Sequence, residues 1–310
     1  MTTVLQTQAL TKYYGSLAAV QDLSLEILEG EVFGLLGPNG AGKTTSINMI
    51  CGLLKPDAGQ VTIRGKVITN GDASTWGRVG VCPQNIILWG QLTCLEQMQF
   101  IGQMYGMRGK AARIRGENLL EELDLLEKKD KLARTLSGGM QRRLNLAMAL
   151  VHDPEILVLD EPEAGLDPQS RVMVREYIKS LARRKTIILT THNMDEAERM
   201  ADRVAIIDHG KLLIVDTPEA LKRTVGEGDV LEIDLDSGSL EAALAALNAI
   251  VPQVSTTNHT LVIRARGVVE HLPVVLDALH TVDAHPGEVR LRANTLEDVF
   301  ISLTGRRLRE

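Results

Sequence analysis

Two kinds of apolar spacing run through the chain. Short unbroken apolar runs at Val32–Leu36, Ile156–Leu159 and Ile187–Leu189 read as strands buried on both faces. Less regular apolar stretches at Val4–Leu10 and Ser24–Leu28 read as short strands flanking Thr11–Gly15. Val61–Ile63 and Val67–Ile68 read as a hairpin, and Arg78–Cys82 as a strand halted by Pro83. Helix formers dominate from about Thr93 to Asp130, and Leu144–Val151, Gln169–Arg184 and Met194–Ala201 are also expected to be helical. Val204–Ile214 is expected as a hairpin across Gly210, and Pro218 opens a short helix. Strands and helices alternating in this way predict an α/β domain over residues 1–225, with a helical subdomain at about 86–140.

Gly226-Glu227-Gly228-Asp229 reads as a linker, and the pattern changes beyond it. Val230–Leu235, Leu261–Ala265 and Val289–Ala293 are strand-like, with another strand at Val254. Leu240–Ile250, Val268–Leu279 and Leu296–Leu303 are helix-like. A βαββαβ order over 229–310 predicts a small α+β domain of the ferredoxin-like kind.

The stretch that organises the first domain is Gly37-Pro38-Asn39-Gly40-Ala41-Gly42-Lys43-Thr44-Thr45. It follows the buried run at Val32–Leu36 and precedes the helix-like Ser46–Ile50. The glycines let several N–H groups converge, and the helix start adds partial positive charge there. Lys43 supplies a full charge for outer phosphates, and the Thr44 hydroxyl can ligate a magnesium ion that travels with them.

Further chemistry lies at the ends of the apolar runs. Asp160 and Glu161 leave the C-terminal end of a buried strand, where open α/β sheets bind ligands. Asp160 is placed to hold a metal, and Glu161, beyond it, to orient an attacking water. His192 ends the next buried run, and Gln84 falls in the loop after Pro83. Ser137 is a helix N-cap followed by Gly138 and Gly139, whose bare N–H groups suit a second anion far along the chain from the first. Tyr13 and Tyr14 draw notice because aromatics are only 3% of residues. A ring there can stack on a purine base or cover a strand edge, and the pattern does not choose between these.

Composition narrows the classes. The net charge is −6 with no long basic run, which argues against a nucleic-acid partner. Cys51, Cys82 and Cys94 fit neither a zinc spacing nor a disulfide framework, so they read as reduced thiols. Residues 1–6 lack a signal-peptide pattern, and no apolar run approaches the ~20 residues of a membrane span, so a soluble chain is expected.

Together these motifs resemble the nucleotide-binding subunit of ABC transporters, a P-loop fold, over about residues 4–220. The resemblance makes Gly37–Thr45 the Walker A loop and Leu136-Ser137-Gly138-Gly139-Met140-Gln141 the signature motif. Gln84 corresponds to the Q-loop glutamine, which reaches metal and water, and Asp160 to the Walker B aspartate. Glu161 corresponds to the catalytic glutamate, Gly165-Leu166-Asp167 to the D-loop and His192 to the switch histidine. Tyr14 is the better match for the adenine-stacking aromatic.

The resemblance implies ATP and Mg2+ as cofactors. It also implies two cassettes sandwiching two nucleotides, each between one Walker A loop and the other cassette's signature. The pair would be two copies, or one copy with a paralogous subunit. Asp153-Pro154-Glu155, Leu159–Arg171 and the tail Thr295-Leu296-Glu297-Asp298-Val299-Phe300 resemble ABC-2 exporters of the daunorubicin-resistance and nodulation-factor kind. Such a subunit drives a separate membrane permease and sits peripherally on the cytoplasmic face of the membrane. In that group the tail unit resembles a regulatory or dimer-supporting appendage. Glu163 stands where the family usually has Thr, which sets an extra carboxylate near the D-loop and the dimer seam.

Two other classes compete. Soluble ABC proteins of translation usually carry two cassettes in one chain, and those of DNA repair insert a long coiled coil before the signature. The stretch from Lys43 to Ser137 shows no sustained heptads. A switch that binds without hydrolysing would not need both Glu161 and His192.

Overall fold

The computed structural model describes residues 2–68, 77–225, 229–251, 254–257, 260–265 and 267–305. Contacts divide them into two compact units, which part between Thr217 and Pro218. Short helix Pro218–Thr224, placed in the first domain on sequence grounds, clusters with the second unit. The expected linker residues 226–228 lie outside the described residues.

The first unit begins with β1 (Thr3–Tyr14) and β2 (Leu17–Leu28), antiparallel strands of 12 residues each. Thr11–Tyr14 therefore extend β1 instead of connecting two short strands. The register slips between Thr7 and Leu10, and Ala9 and Asp22 take φ values of 47° and 51°. Such bulges interrupt the apolar alternation without ending the ladder, which is why the sequence pattern makes the strands look shorter.

The chain continues through β3 (Val32–Leu36) and α1 (Lys43–Ile50), with β4 (Ala58–Ile63) and β5 (Lys66–Val67) joining the β1–β2 sheet. After β6 (Val79–Cys82) comes the helical insert, α2 (Cys94–Met104) and α3 (Gly109–Glu122), and then α4 (Gly138–Leu150). The nucleation cost of α2 is met by a reciprocal cap between Thr93 and Glu96, and α4 is capped by the Ser137 hydroxyl. β7 (Ile156–Asp160), α5 (Pro168–Leu181), β8 (Thr186–Thr191), α6 (Met194–Met200), β9 (Arg203–Asp208) and β10 (Lys211–Asp216) complete the unit.

Strands β10-β9-β3-β8-β7-β6 form one sheet in that order, parallel except for edge strand β10. Every residue of β3, β7 and β8 is buried, as their unbroken apolar runs require. The strand period splits each run between two cores. Leu157 and Leu159 pack toward Met98, Leu120 and Leu144 on the helical side. Ile156 and Val158 pack toward Phe33, Ile47 and the β1–β2 residues Val20 and Leu25. The parallel register aligns the C-terminal ends: Leu36 lies opposite Thr191, Asp160 opposite Thr190, and Cys82 opposite Leu159. Loops carrying Gly37, Gln84, Glu161 and His192 thus leave the sheet side by side.

The second unit has α7 (Pro218–Thr224), β11 (Asp229–Ser237), α8 (Leu240–Asn248), β12 (Val254–Thr257), β13 (Thr260–Ala265), α9 (Val268–Thr281), β14 (His285–Ala293) and α10 (Leu296–Thr304). Its antiparallel sheet runs β12-β13-β11-β14, the strand order of a ferredoxin-like sandwich. β14 begins at His285, four residues before the apolar pattern does, and takes in Pro286. An edge strand tolerates proline because one side of its ladder is unpaired.

Candidate active site

Gly37–Thr45 wraps the N-terminus of α1, which lacks a side-chain cap and leaves its first N–H groups facing the loop. Gly42 sits at φ 101°, and a Cβ there would come within 2.4 Å of the Ala19 carbonyl oxygen, so only glycine fits. Lys43 is buried, and its Nζ donates to the carbonyls of Gly37 at 2.7 Å and Pro38 at 3.0 Å. Burial pushes its ammonium below the usual lysine value, and the charges of Glu161 and Asp160 oppose that shift. A cavity of about 340 Å³ opens over the loop, walled by Leu17, Ala18, Asn39, Thr45, Gln84 and Glu161 among others.

The acidic pair divides its work. Thr44 Oγ1 donates to Asp160 Oδ2 at 3.1 Å, and Thr190 Oγ1 donates to Asp160 Oδ1. Asp160 and the Thr44 hydroxyl therefore face one point from α1 and β7. Among the described residues no cluster of three or more His, Cys, Asp or Glu side chains could hold a metal by itself. One carboxylate plus one hydroxyl is the sparse donor set that suits Mg2+, which keeps waters and takes phosphate oxygens as its other ligands.

Glu161 lies one residue beyond, with φ at 47°, a conformation that costs energy in a side-chain-bearing residue and persists only where its surroundings fix it. Its N–H donates to both the carbonyl and the hydroxyl of Thr190, each at 3.1 Å. Its carboxylate is gripped from two sides. Gln84 Nε2 donates to Oε2 at 2.9 Å, and His192 Nδ1 donates to Oε1 at 2.9 Å. Nδ1 carries the proton because an ionised carboxylate can only accept. The structure thus brings Gln84, Glu161 and His192 together, and joins Thr44 to Asp160. The Gln84 amide bonds the glutamate and not the Thr44–Asp160 pair.

The other expected residues fall elsewhere. Ser137, Gly138 and Gly139 do not line the loop cavity; they start α4, where the Ser137 hydroxyl accepts from Met140 N–H at 3.3 Å. Gly139 abuts α5, and a Cβ on it would meet Ser170 Oγ at 2.3 Å, so the start of α4 packs against the first turn of α5, which Asp167 caps. Gln141 donates its amide to the carbonyls of Ala133 and Leu136, holding the turn before α4. Tyr13 and Tyr14 end β1 and are about half exposed, with the Tyr13 N–H and Lys12 Nζ both on the Asp57 carboxylate. Neither ring lines the cavity.

Sequence reasoning missed three contributors. Thr190 bonds both acids of the pair. His209, in the β9–β10 turn at φ 46°, forms part of the cavity wall. Arg142 is buried behind Gln84 and Glu161, and the one available signal was a pair of arginines opening an otherwise apolar helix. Glu163 is fully buried within the chain, and Arg175 grips both of its oxygens.

A parallel sheet whose strand ends carry a glycine-rich loop, a metal-facing aspartate and a clamped glutamate defines a P-loop nucleoside triphosphatase. The ABC transporter family model matches residues 20–164. The linearmycin resistance ATP-binding protein LnrL of Bacillus subtilis is 39% identical over 99% of this chain and all of its own length. The Nod factor export ATP-binding protein I of Ralstonia nicotianae is 40% identical over 100% of this chain and 96% of its own. The daunorubicin resistance ATP-binding protein DrrA3 of Streptomyces coeruleorubidus is 37% identical, covering 96% of each chain. Among solved structures, an ATP-binding subunit of an ABC transporter aligns with a TM-score of 0.66 at 27% identity, over 72% of this chain and 93% of its own. A dimeric cassette in a post-hydrolysis state with ADP and Pi gives 0.63 at 28%, over 69% and 98%. The chain belongs to the ABC transporter family, among its ATP-binding proteins.

Proposed function

We propose that the chain hydrolyses ATP, with Mg2+, to drive export of a substrate through a separate ABC-2 type membrane permease. It works from the cytoplasmic face of the membrane as one of two cassettes, the other being a second copy or a paralogous ATPase subunit. The carrying observation is the Glu161 carboxylate, held between Gln84 and His192 at the wall of the loop cavity. A carboxylate fixed there can orient and deprotonate a water for in-line attack on a γ-phosphate, and His192 and Gln84 keep it in place. Lys43 and the N–H groups of Gly40–Thr45 stabilise the charge that develops on the phosphate oxygens. Bound Mg2+ supplies further charge neutralisation, with Thr44 and Asp160 as the residues that would hold it. Tyr14 is the residue proposed to stack on the adenine.

Ser137, Gly138 and Gly139, which do not line the chain's own cavity, are proposed to meet the nucleotide of the second cassette. Solved dimeric cassettes support a pair. Among the described residues no helix is long and apolar enough to cross a membrane. A permease partner is supported by an apolar groove of about 900 Å³ beside Gln84, with exposed Ile87, Trp89, Met104 and Tyr105 along it. The relatives' names, drug resistance and Nod factor export, favour an exporter over a translation or DNA-repair protein. The tail unit is proposed as a regulatory or dimer-supporting appendage.

The test is Glu161→Gln, which keeps the shape and loses the base. It should bind ATP, lose hydrolysis, and run as a dimer with ATP and Mg2+ but as a monomer with ADP, measured by size-exclusion chromatography with light scattering. Adding Ser137→Arg should abolish that dimer. Normal hydrolysis by Glu161→Gln, or an ATP-dependent dimer that survives Ser137→Arg, would refute the proposal.

A further inference from the structure

Arg142 lies one turn into α4 and is only 2% exposed. An arginine has five N–H donors in a rigid plane. Here all five end on main-chain carbonyls: Nε on Pro162 at 3.1 Å, Nη1 on Pro83 at 2.6 Å and Gln84 at 3.0 Å, and Nη2 on Asp160 at 2.8 Å and Glu161 at 2.7 Å. The carbonyls come from two segments, one leaving β6 and one leaving β7. These segments carry the two side chains that meet at Glu161 Oε2. Among the described residues no carboxylate is a hydrogen-bond partner of this guanidinium, and each of its bonds to a carbonyl is charge-assisted.

We infer that Arg142 is a positioning residue for hydrolysis. It ties the peptides of Gln84 and Glu161 to one planar group, and so sets how the Gln84 amide meets the carboxylate. Glu161 needs such support, because its φ of 47° persists only where neighbours fix it. Thr190 holds the Glu161 N–H from the β8 side, and Arg142 holds its carbonyl from the α4 side. The same helix starts at Gly138, directly after the Ser137 cap. One rigid element therefore fixes both the signature's N-terminus and the place of the carboxylate. Lysine keeps the charge, but its three donors sit on one nitrogen and cannot reproduce the planar five-donor fork that meets five carbonyls on the two segments.

The inference rests on the proposed ATPase reading, and the experiment separates the two. The full-length chain is measured as wild type, Lys43→Ala, Arg142→Lys, Arg142→Gln and Arg143→Lys. Arg143 is the control: it lies on the same helix but donates to Leu123 and Asp124, away from the site. Readouts are the Kd for a fluorescent ATP analogue, and kcat and KM for ATP. Both Arg142 variants should bind nucleotide within about twofold of wild type while kcat falls on the order of tenfold or more, since supporting groups one layer out commonly have that weight. Arg143→Lys should leave kcat within about twofold of wild type, because its contacts do not reach Gln84 or Glu161. Arg142→Lys with wild-type kcat would overturn the inference. So would parallel loss of binding and hydrolysis, failure of both Arg142 variants to fold, or an equal loss in Arg143→Lys, since each would make the arginine a packing element only. A wild type that does not hydrolyse ATP would overturn the ATPase reading itself, and the inference with it.

Discussion

Glu163→Gln tests what the unusual carboxylate after Pro162 does. Its side chain has no solvent exposure; Arg175 Nε donates to Oε1 at 2.9 Å and Nη2 to Oε2 at 2.7 Å, and Arg171 Nε lies 3.8 Å from Oε2. Glutamine keeps the volume and removes the charge, so Arg175 then faces a neutral amide that accepts through one oxygen. Removing one partner of a buried ion pair costs about 3–5 kcal/mol. Two features reduce that here. The Arg175 side chain is 13% exposed, so water reaches its edge, and the amide still accepts one bond. A loss of about 2–3 kcal/mol is expected. For a unit of this size each kcal/mol moves Tm by roughly 2–4 °C, so the first unit should melt about 4–12 °C lower.

The assay is differential scanning calorimetry of the full chain. Adding Arg175→Met should recover part of the loss, because it removes the buried charge that Glu163→Gln leaves unpaired. Nucleotide affinity should not change, since Glu163 does not line the loop cavity. A Glu163→Gln protein melting within about 1 °C of wild type, or a double variant whose losses simply add, would show that the pair is not the buried couple its geometry describes.

Two other outcomes are expected. Lys43→Ala should lower steady-state phosphate release by at least about 100-fold, the weight of a donor aimed at developing charge, and near-normal release would remove Lys43 from that role. In the second unit, burial pushes the Asp298 carboxyl up, but Arg292 and the N–H and hydroxyl of Thr295 outweigh it and hold the group well below the ordinary carboxylate value. A depressed folded-state value means stability present above the unfolded value of 3.8 and lost as pH falls through the lower folded value. Amide exchange protection over 296–304 should hold from neutral pH down to about pH 4, fall below it, and be weaker at neutral pH in Asp298→Asn. Equal protection in the variant at neutral pH would contradict this account.

The sequence by itself determined the parts of the first unit that repeat a fixed geometry. The short apolar runs at Val32–Leu36, Ile156–Leu159 and Ile187–Leu189 read as strands buried on both faces, and β3, β7 and β8 are. The loop at Gly37–Thr45 was legible because it needs glycines, a lysine and a threonine in one order whatever surrounds them. The tail's element order was legible too, since each strand and helix there carries its own period.

What tertiary structure decided is everything that depends on residues distant in sequence. The full length of β1 and β2 rests on bulges at Ala9 and Asp22 that only the pairing of the two strands reveals. That α7 clusters with the second unit follows from its packing on α10, not from any local signal. Glu163 looks in sequence like an acid beside a turn, and becomes buried because Arg175, two turns along α5, comes back over it. The sequence does not show the role of Arg142; β6 and β7, lying side by side, present their carbonyls to it. Sequence names the groups that carry charge, and the parallel register of the sheet decides which of them meet.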